Sequence, residues 1–343
     1  MSQHARPVAI TGAGVVTPLG GAPEVWARAS AGERASGAIA TLPLASLPDA
    51  VQARATRAER VTQLVLAAAG AALAEAGLGG TEGAPDPGLG VVLGTAFGCF
   101  LTNASFERRF AEGGAPAASP RLFAATVSNA AAGELGIAYR LGGPGITLTA
   151  GGAAGLVALG HATDLLRASR ARALVAGGMD AIGEPLVRWL DGGGLVVGRP
   201  ASEAAALVVL EAEEAAHARG ARVLAMIAGH ASGFEPEPRA AGAGDGLAAT
   251  VEAVLAEAGI APEVVVSGAP PGLAALEERA LARALGAARP PTIAPKDVFG
   301  ETFGAAGPLG LLAALAAVQP GAVVLVLDVC ASGHVAALIA RRV

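Results

Sequence analysis

The sequence predicts an α/β fold, and two observations carry that prediction. Short apolar runs alternate with amphipathic segments along most of the 343 residues, and the apolar spacing changes between the strand period and the helix period. Clusters of Gly and Pro separate the segments, as turns do. Such alternation is typical of a mostly parallel sheet covered by helices. The length fits two domains or one internally duplicated unit, and length alone does not choose between them.

Taken in order, the predicted elements form two successive rounds. The first round comprises a strand from residue 8, a helix over 57–77, a strand over 90–95, a strand and helix within 141–170, and strands over 173–178 and 206–210. The second round comprises a strand over 224–228, a helix over 247–258, a strand over 264–267, a helix over 273–285 and a strand over 322–329.

Composition and charge exclude several classes of protein. The formal net charge is −5 with scattered basic residues, so we expect no nucleic-acid partner. The two cysteines, Cys99 and Cys330, lie far apart, which fits a reduced cytoplasm without a disulfide scaffold. The first residues show no charged leader and apolar core, so no signal peptide is predicted. The most membrane-like stretch, 303–327, is interrupted by Gln319-Pro320-Gly321, and a soluble protein without a membrane partner is expected.

The chemistry is expected at a glycine-rich corner between a short apolar strand and a helix. After Leu148 the chain reads TAGGAAG, and Leu156 and Leu159 then recur at helical spacing. Gly151 and Gly152 therefore lie at the N-terminus of a helix, where free amide groups and the helix dipole suit an anion, a thiolate or an oxyanion. The corner has this shape but contains no nucleophile.

This stretch resembles the active-site corner of the β-ketoacyl-ACP synthases, whose pattern is G-P, a strand, T-A-C-x-S-G and a helix with A-[IL]-G. Gly143-Pro144, Gly155 and Ala158-Leu159-Gly160 match that pattern. Gly152 falls where the nucleophilic cysteine of the family stands, and a one-residue slip would place Gly151 there. The variant AGGAAGL is most similar to the chain-length factors of type II polyketide synthases, which often carry Gln at this position.

The resemblance implies a thiolase fold. In that fold, pseudo-duplicated βαβαβαββ halves form a five-layered αβαβα arrangement. We expect residues 1–222 to form the N-terminal half and residues 223–343 the C-terminal half of one compact unit. The excursion between Glu184 and Ser202 is shorter than in the family.

At two further positions, this chain lacks the histidine that the family carries. The segment KDVFGETFGAAG matches the family's K-x-x-x-G-H-x-x-G-A-A-G, with Lys296 retained and Glu301 in place of the histidine. Counting back from Glu277, the other histidine position is occupied by Ser267, or by Val266 without a gap. Lys296 is the only lysine in the chain. A buried pair with Glu301 is one interpretation, and a chance survivor on a solvated loop is the other.

The last family motif also loses its functional residues. In place of the gating phenylalanine the chain reads CASGH, starting at Cys330. This imitates a nucleophile motif, but it leads into a strand, so we expect no helix N-terminus to activate the thiol. Cys99 is predicted to be a small buried residue. The histidines show no metal-binding or triad spacing, and no metal or cofactor is expected.

The resemblance therefore implies a catalytically degenerate subunit, similar to a chain-length factor. It would form a heterodimer with an active ketosynthase, receive chains from acyl carrier protein and help line the tunnel for the growing polyketide or polyene chain. Candidate tunnel or interface residues are Phe97, Phe100, Phe106, Phe110 and Phe123. Two alternatives stay open: a free-standing thiolase-fold acyltransferase with relocated chemistry at Cys330 or Glu301, and a non-catalytic scaffold that docks acyl carrier proteins.

Overall fold

The computed structural model describes residues 6–35, 39–193, 199–286 and 289–343. Two of the predictions lie partly outside these residues. They concern the first residues of the chain, of which 1–5 are not described, and the short excursion after Glu184, of which 194–198 are not described.

The strands of the described residues join into one sheet, in the order β4-β3-β5-β6-β1-β7-β11-β10-β8-β9, with β2 paired to β1. They are β1 (Val8–Thr17), β2 (Gly20–Gly21), β3 (Leu89–Thr95), β4 (Gly145–Thr149), β5 (Ala173–Asp180), β6 (Ala204–Ala212), β7 (Ala225–Phe234), β8 (Val264–Val266), β9 (Thr292–Ile293), β10 (Val323–Val329) and β11 (His334–Arg342).

The sheet consists of two halves with the same strand order. From its outer edge inward, the first half has the order β4-β3-β5-β6-β1, and the second half has the order β9-β8-β10-β11-β7. When β2 is left out of the count, each half therefore has its third, second, fourth, fifth and first strand in this sequence. The halves meet where β1 pairs antiparallel with β7, Val8 opposite Ile227. This repeat of topology confirms the predicted pseudo-duplication. The expectation of a mostly parallel sheet is wrong, because the fourth and fifth strands of each half pair antiparallel and the fifth and first do so as well.

The helices form three layers around the two half-sheets. They are α1 (Glu24–Ser30), α2 (Asp49–Ala55), α3 (Arg60–Ala76), α4 (Phe100–Gly113), α5 (Pro120–Ala124), α6 (Ala130–Ala138), α7 (Ala154–Arg167), α8 (Glu184–Gly193), α9 (Glu213–Ala218), α10 (Asp245–Ala258), α11 (Ala274–Leu285), α12 (Lys296–Phe299) and α13 (Ala306–Ala317).

Two of these helices lie between the half-sheets. α7 packs on β3 and β5 of the first half and on β7 and β11 of the second, while α13 packs on β5, β6, β8 and β10. α13 contains no charged residue, as expected for a helix that is apolar on all sides and therefore buried. α3 and α6 pack on the outside of the first half, and α10 packs on the outside of the second, with α11 against it. The five-layered arrangement implied by the resemblance is confirmed.

Element boundaries follow the sequence pattern closely. The predicted helices over 57–77 and 247–258 correspond to α3 and α10. β7 is longer than predicted because it pairs with β11 along its whole length, from Ala225 to Phe234. The Gln319-Pro320-Gly321 break separates α13 from β10. Within the described residues, no helix has both the length and the apolar character needed to cross a bilayer.

Candidate functional site

The glycine corner forms between β4 and α7, as predicted. Gly151 has φ +55°, a left-handed conformation that favours glycine because it has no Cβ. A Cβ built on Gly152 would meet nothing within 4 Å, whereas one on Gly151 would lie 2.2 Å from the Sγ of Cys330. The space beside residue 151 is therefore occupied by a thiol that another part of the chain delivers.

The Cys330 thiol lies within reach of three polar groups. The amide of Gly152 donates a hydrogen bond to Sγ at 3.4 Å, and the Ser332 hydroxyl lies 3.1 Å from Sγ. That hydroxyl is in turn 3.1 Å from Nδ1 of His334. The expectation that Cys330 meets no helix N-terminus is wrong. The expectation was based on the strand that follows Cys330, β11, whereas the helix that the thiol approaches is α7 of the first half.

A tight turn places these groups together. The Cys330 amide donates to the His334 carbonyl at 2.9 Å, so the β10–β11 ladder continues to this pair. Paired residues of an antiparallel ladder project to the same face, which brings the thiol and the imidazole to one side. The ring of Phe234 stacks edge-on against His334 at 5.5 Å between centroids. Cys330 and His334 are half-buried and Ser332 is exposed, so solvent reaches this group.

The second corner, before α13, contains a buried ion pair. Nζ of Lys296 lies 2.9 Å from Oε2 of Glu301, and the two residues are 6% and 4% exposed. The other carboxylate oxygen of Glu301 accepts from the Phe303 amide at 3.0 Å. The pairing that the sequence left open is therefore present, and both oxygens of Glu301 are engaged.

Further carboxyl groups surround the ion pair. Glu277 accepts hydrogen bonds from the amides of Gly268 and Ala269 at 3.0 Å. Burial raises the pKa of Glu277, while the nearby hydroxyl of Ser267 lowers it. Ser267 itself follows β8 and contributes no base. Asp328 on β10 is 1% exposed, and burial raises the pKa of its carboxyl well above the usual range. Its Oδ2 has no hydrogen-bond partner.

Asp180 connects the two halves of the site. Its carboxylate accepts from the Thr95 hydroxyl at 2.7 Å, from the amides of Ala96 and Phe97 at 2.9 Å, and from the amide of Gly304 at 2.8 Å. Burial raises the pKa of Asp180 to about 6, against the effect of these hydrogen bonds. The sequence did not indicate this bridging role, because the groups that Asp180 binds lie on separate elements.

The five candidate phenylalanines fall into two separate groups. Phe97 packs edge-on against Phe303 at 4.8 Å and against Trp189 at 6.3 Å. Phe100 packs with Phe97 and Phe303 in a small apolar cluster. The other three, Phe106, Phe110 and Phe123, lie together on the surface of α4 and α5. The ring centroid of Phe106 is 6.5 Å from that of Phe110 and 5.6 Å from that of Phe123.

Sequence reasoning missed Trp189 and Phe303 as neighbours of Phe97. No sequence signal connects these three residues, because they lie on separate elements. Within the described residues, no group of three His, Cys, Asp or Glu side chains could hold a metal ion.

Comparison with known proteins identifies the family. Residues 44–190 match the N-terminal domain of β-ketoacyl synthases. A polyketide β-ketoacyl synthase 2 of Streptomyces coelicolor is 32% identical, over 95% of this chain and 87% of the relative. A 3-oxoacyl-[acyl-carrier-protein] synthase 2 of Rhizobium meliloti is 27% identical, and the alignment covers 66% of this chain and 63% of the relative.

Solved structures share the fold. The ishigamide ketosynthase/chain length factor superimposes with a TM-score of 0.85 at 22% identity, covering 99% of this chain and 100% of the other. A ketosynthase in complex with its type II polyketide synthase acyl carrier protein gives 0.84 at 20% identity, with 99% and 100% coverage. These structures show the shared fold, and the relative that is 32% identical over 87% of its length shows that the chain belongs to the β-ketoacyl synthase family.

Proposed function

We propose that this protein is a ketosynthase-like subunit of a polyketide synthase that does not condense acyl chains by itself. Its role, like that of a chain-length factor, is to pair with an active β-ketoacyl synthase and to help shape the tunnel for the growing chain. A relative at 32% identity is named a polyketide β-ketoacyl synthase 2, and that supports the assignment to polyketide assembly. The cytoplasmic location inferred from the sequence remains a prediction.

The observation that carries the proposal is the state of the three reactive positions within an intact scaffold. The corner presents Gly151 and Gly152, the position before α13 presents Glu301, and Ser267 follows β8. Condensation needs a nucleophile and groups that stabilise an enolate, each worth orders of magnitude in rate. Glu301 is bound by Lys296 and by a backbone amide, so it is not free to replace a histidine.

The exposed edge of the sheet supports a paired subunit. β4 is the last strand on the side of the first half, its residues are half-buried or exposed, and it carries no charge. An uncharged edge strand offers unpaired backbone groups to a second chain. α6 packs beside β4, and its Ile137 is 54% exposed. An apolar surface thus continues from the strand onto a helix, which suits a two-fold interface with a homologous partner.

The two phenylalanine groups have different roles in this proposal. Phe97 and Phe100 line the interior side, next to Phe303 and therefore close to the corner before α13. Bulky aromatic side chains there would limit how far a chain can extend. Phe110 and Phe123 are 48% and 62% exposed, and they form part of the outer surface.

Co-expression with a cysteine-bearing ketosynthase and its acyl carrier protein tests the proposal. We expect a one-to-one heterodimer by size exclusion and mass spectrometry, and condensation products only when the partner is present. Ile137→Glu should weaken the heterodimer, whereas Val343→Glu, a 58% exposed residue on β11's side of the sheet, should not. A self-paired form that condenses acyl chains alone would contradict the proposal.

Product length distinguishes the tunnel role from a docking scaffold. Phe100→Ala should lengthen the product, and the matched change Phe110→Ala on the same helix should leave it unchanged. Unchanged length in both variants, with the heterodimer intact, would favour a subunit that only docks the carrier protein.

A further inference from the structure

This inference concerns the thiol at the glycine corner. Cys330 is not used in the proposed function, yet its Sγ lies beside Gly151 and accepts a hydrogen bond from the Gly152 amide. We propose that Cys330 is an acyl-accepting nucleophile, delivered to the head of α7 by the β10–β11 hairpin, and that it takes an acyl group from a thioester. This goes beyond the proposed function, because a subunit without condensing activity would still hold an acyl chain.

The position of the sulfur is the first argument. A Cβ on residue 151 would lie 2.2 Å from Sγ of Cys330. The thiol therefore fills the space that a side chain on residue 151 would occupy. Amide groups at the start of a helix stabilise a thiolate and the oxyanion formed when it attacks a carbonyl. The thiol therefore lies where this chemistry is supported.

A proton acceptor is the second argument. Ser332 bridges Cys330 and His334 with 3.1 Å on each side. When the imidazole has its proton on Nε2, Nδ1 can accept the serine proton while the serine oxygen takes the thiol proton. His334 thus acts through Ser332, and Phe234 holds the ring from the side. Cys330 and Ser332 lie in the turn before β11, His334 begins β11 and Phe234 ends β7, so these groups form a cluster rather than a lone cysteine.

A buried, unpaired carboxyl is the third and independent argument. Asp328 precedes Cys330 by two residues and lies on the same face of the strand. Its Oδ2 has no partner, and a Cβ built on Gly307 would lie 2.2 Å from this oxygen and 2.4 Å from Cγ of Leu156. The carboxyl therefore lies beside Gly307 in the first turn of α13 and near Leu156 in the first turn of α7, where the charges of Lys296 and Glu301 also act on it. A buried oxygen without a partner between the two corners is open to a polar ligand.

The reaction is a transacylation. The Cys330 thiolate attacks the carbonyl carbon of an acyl thioester, a new S–C bond forms, and the C–S bond to the leaving thiol breaks. The proton taken through Ser332 by His334 is returned to the leaving thiolate. No oxidant or further reactant is needed. Because Glu301 stays bound to Lys296, the acyl group is not carried on to condensation.

Intact-mass measurement of the full chain with hexanoyl-N-acetylcysteamine tests the proposal. We expect a mass increase of one hexanoyl group that Cys330→Ala abolishes and Cys99→Ala retains. Cys99 is buried and serves as the matched control. His334→Gln and Ser332→Ala should slow acylation by about 100-fold and flatten its rise with pH, while the melting temperature stays unchanged. The same group offered on CoA and on an acyl carrier protein identifies the natural donor, and label on Cys330 from either supports the proposal.

A measurement on the wild-type protein avoids the possibility that a variant does not fold. In the wild-type protein, iodoacetamide should alkylate Cys330 at least about tenfold faster than Cys99. Equal rates, an adduct on Cys99, or an adduct that survives Cys330→Ala would overturn the proposal. Heterodimer formation and product length do not depend on this outcome, so failure of the acylation leaves the proposed function intact, and failure of the heterodimer leaves the adduct measurable.

Discussion

The N-termini of α7 and α13 are equivalent places in the two halves of the fold, yet they differ in chemistry. Each helix follows the third strand of its half and precedes the fourth. The first corner consists of Gly151 and Gly152, is half-buried and receives the Cys330 thiol. The second is closed around Lys296 and Glu301, both almost completely buried.

The difference shows how one scaffold separates stability from reactivity. A buried charge needs a fixed partner, because an unpaired one carries the full cost of desolvation. The second corner meets this need with an ion pair and backbone amides, which hold it rigid. The first corner has no side chains, so a group from another strand can occupy it and still meet solvent. Substitutions should therefore affect folding at the second corner and thiol chemistry at the first.

The largest expected effect is the loss of the buried ion pair. Lys296→Met leaves Glu301 buried without its cation, and we expect the free energy of unfolding to fall by about 3–5 kcal/mol. Urea denaturation measures it. The double variant Lys296→Met with Glu301→Gln removes both charges and should recover part of the loss. A loss below about 1 kcal/mol in the single variant would remove the contrast between the two corners.

Asp180→Asn is expected to have the next largest effect. The asparagine NH2 replaces one carboxylate oxygen, so in either orientation it places a donor against at least one of the backbone N–H groups that Asp180 accepts from. The free energy of unfolding should therefore fall by about 3 kcal/mol. Asp86→Asn, on an exposed carboxylate paired with Arg172, is the control and should cost less than about 1 kcal/mol. Similar losses at the two sites would show that Asp180 does not connect the halves.

The pH dependence of the free energy of unfolding should reflect the titration of the Asp180 carboxyl. Burial raises the pKa of Asp180 to about 6 from the unfolded value of 3.8. The folded protein therefore binds more protons between these values, and its stability is full below about pH 4 and falls as the pH rises through about 6. At about 1.4 kcal/mol per pH unit the loss approaches about 2–3 kcal/mol. The stability difference between wild type and Asp180→Asn should narrow over that window, and a constant difference would contradict this.

The smallest effects are expected at the glycine corner. Gly151→Ala places a Cβ on a left-handed residue and against the Cys330 sulfur, which should cost about 1–2 kcal/mol and slow alkylation of Cys330. Gly152→Ala is the matched control, since nothing lies within 4 Å of its Cβ position, and its effect on stability should stay within about 0.5 kcal/mol. Equal effects of the two variants would mean that the thiol does not occupy the corner.

The sequence by itself determined the alternation of strands and helices and the break at Gln319-Pro320-Gly321, and the resemblance of its motifs to a known family implied the duplicated architecture. These features depend on periodicity, turn residues and a motif pattern, all of which are local. The candidate pair Lys296 and Glu301 could be named for the same reason, because the two residues lie within one motif.

Only the tertiary structure decided what meets at the site. Cys330 reaches the Gly152 amide across 178 positions, and the phenylalanines separate into an inner and an outer group. The antiparallel pairings also follow from how the strands assemble into the sheet, and no single strand shows them. The physical reason is that these contacts arise from the packing of two half-sheets on α7 and α13, and a contact between distant segments leaves no periodic signal in either one.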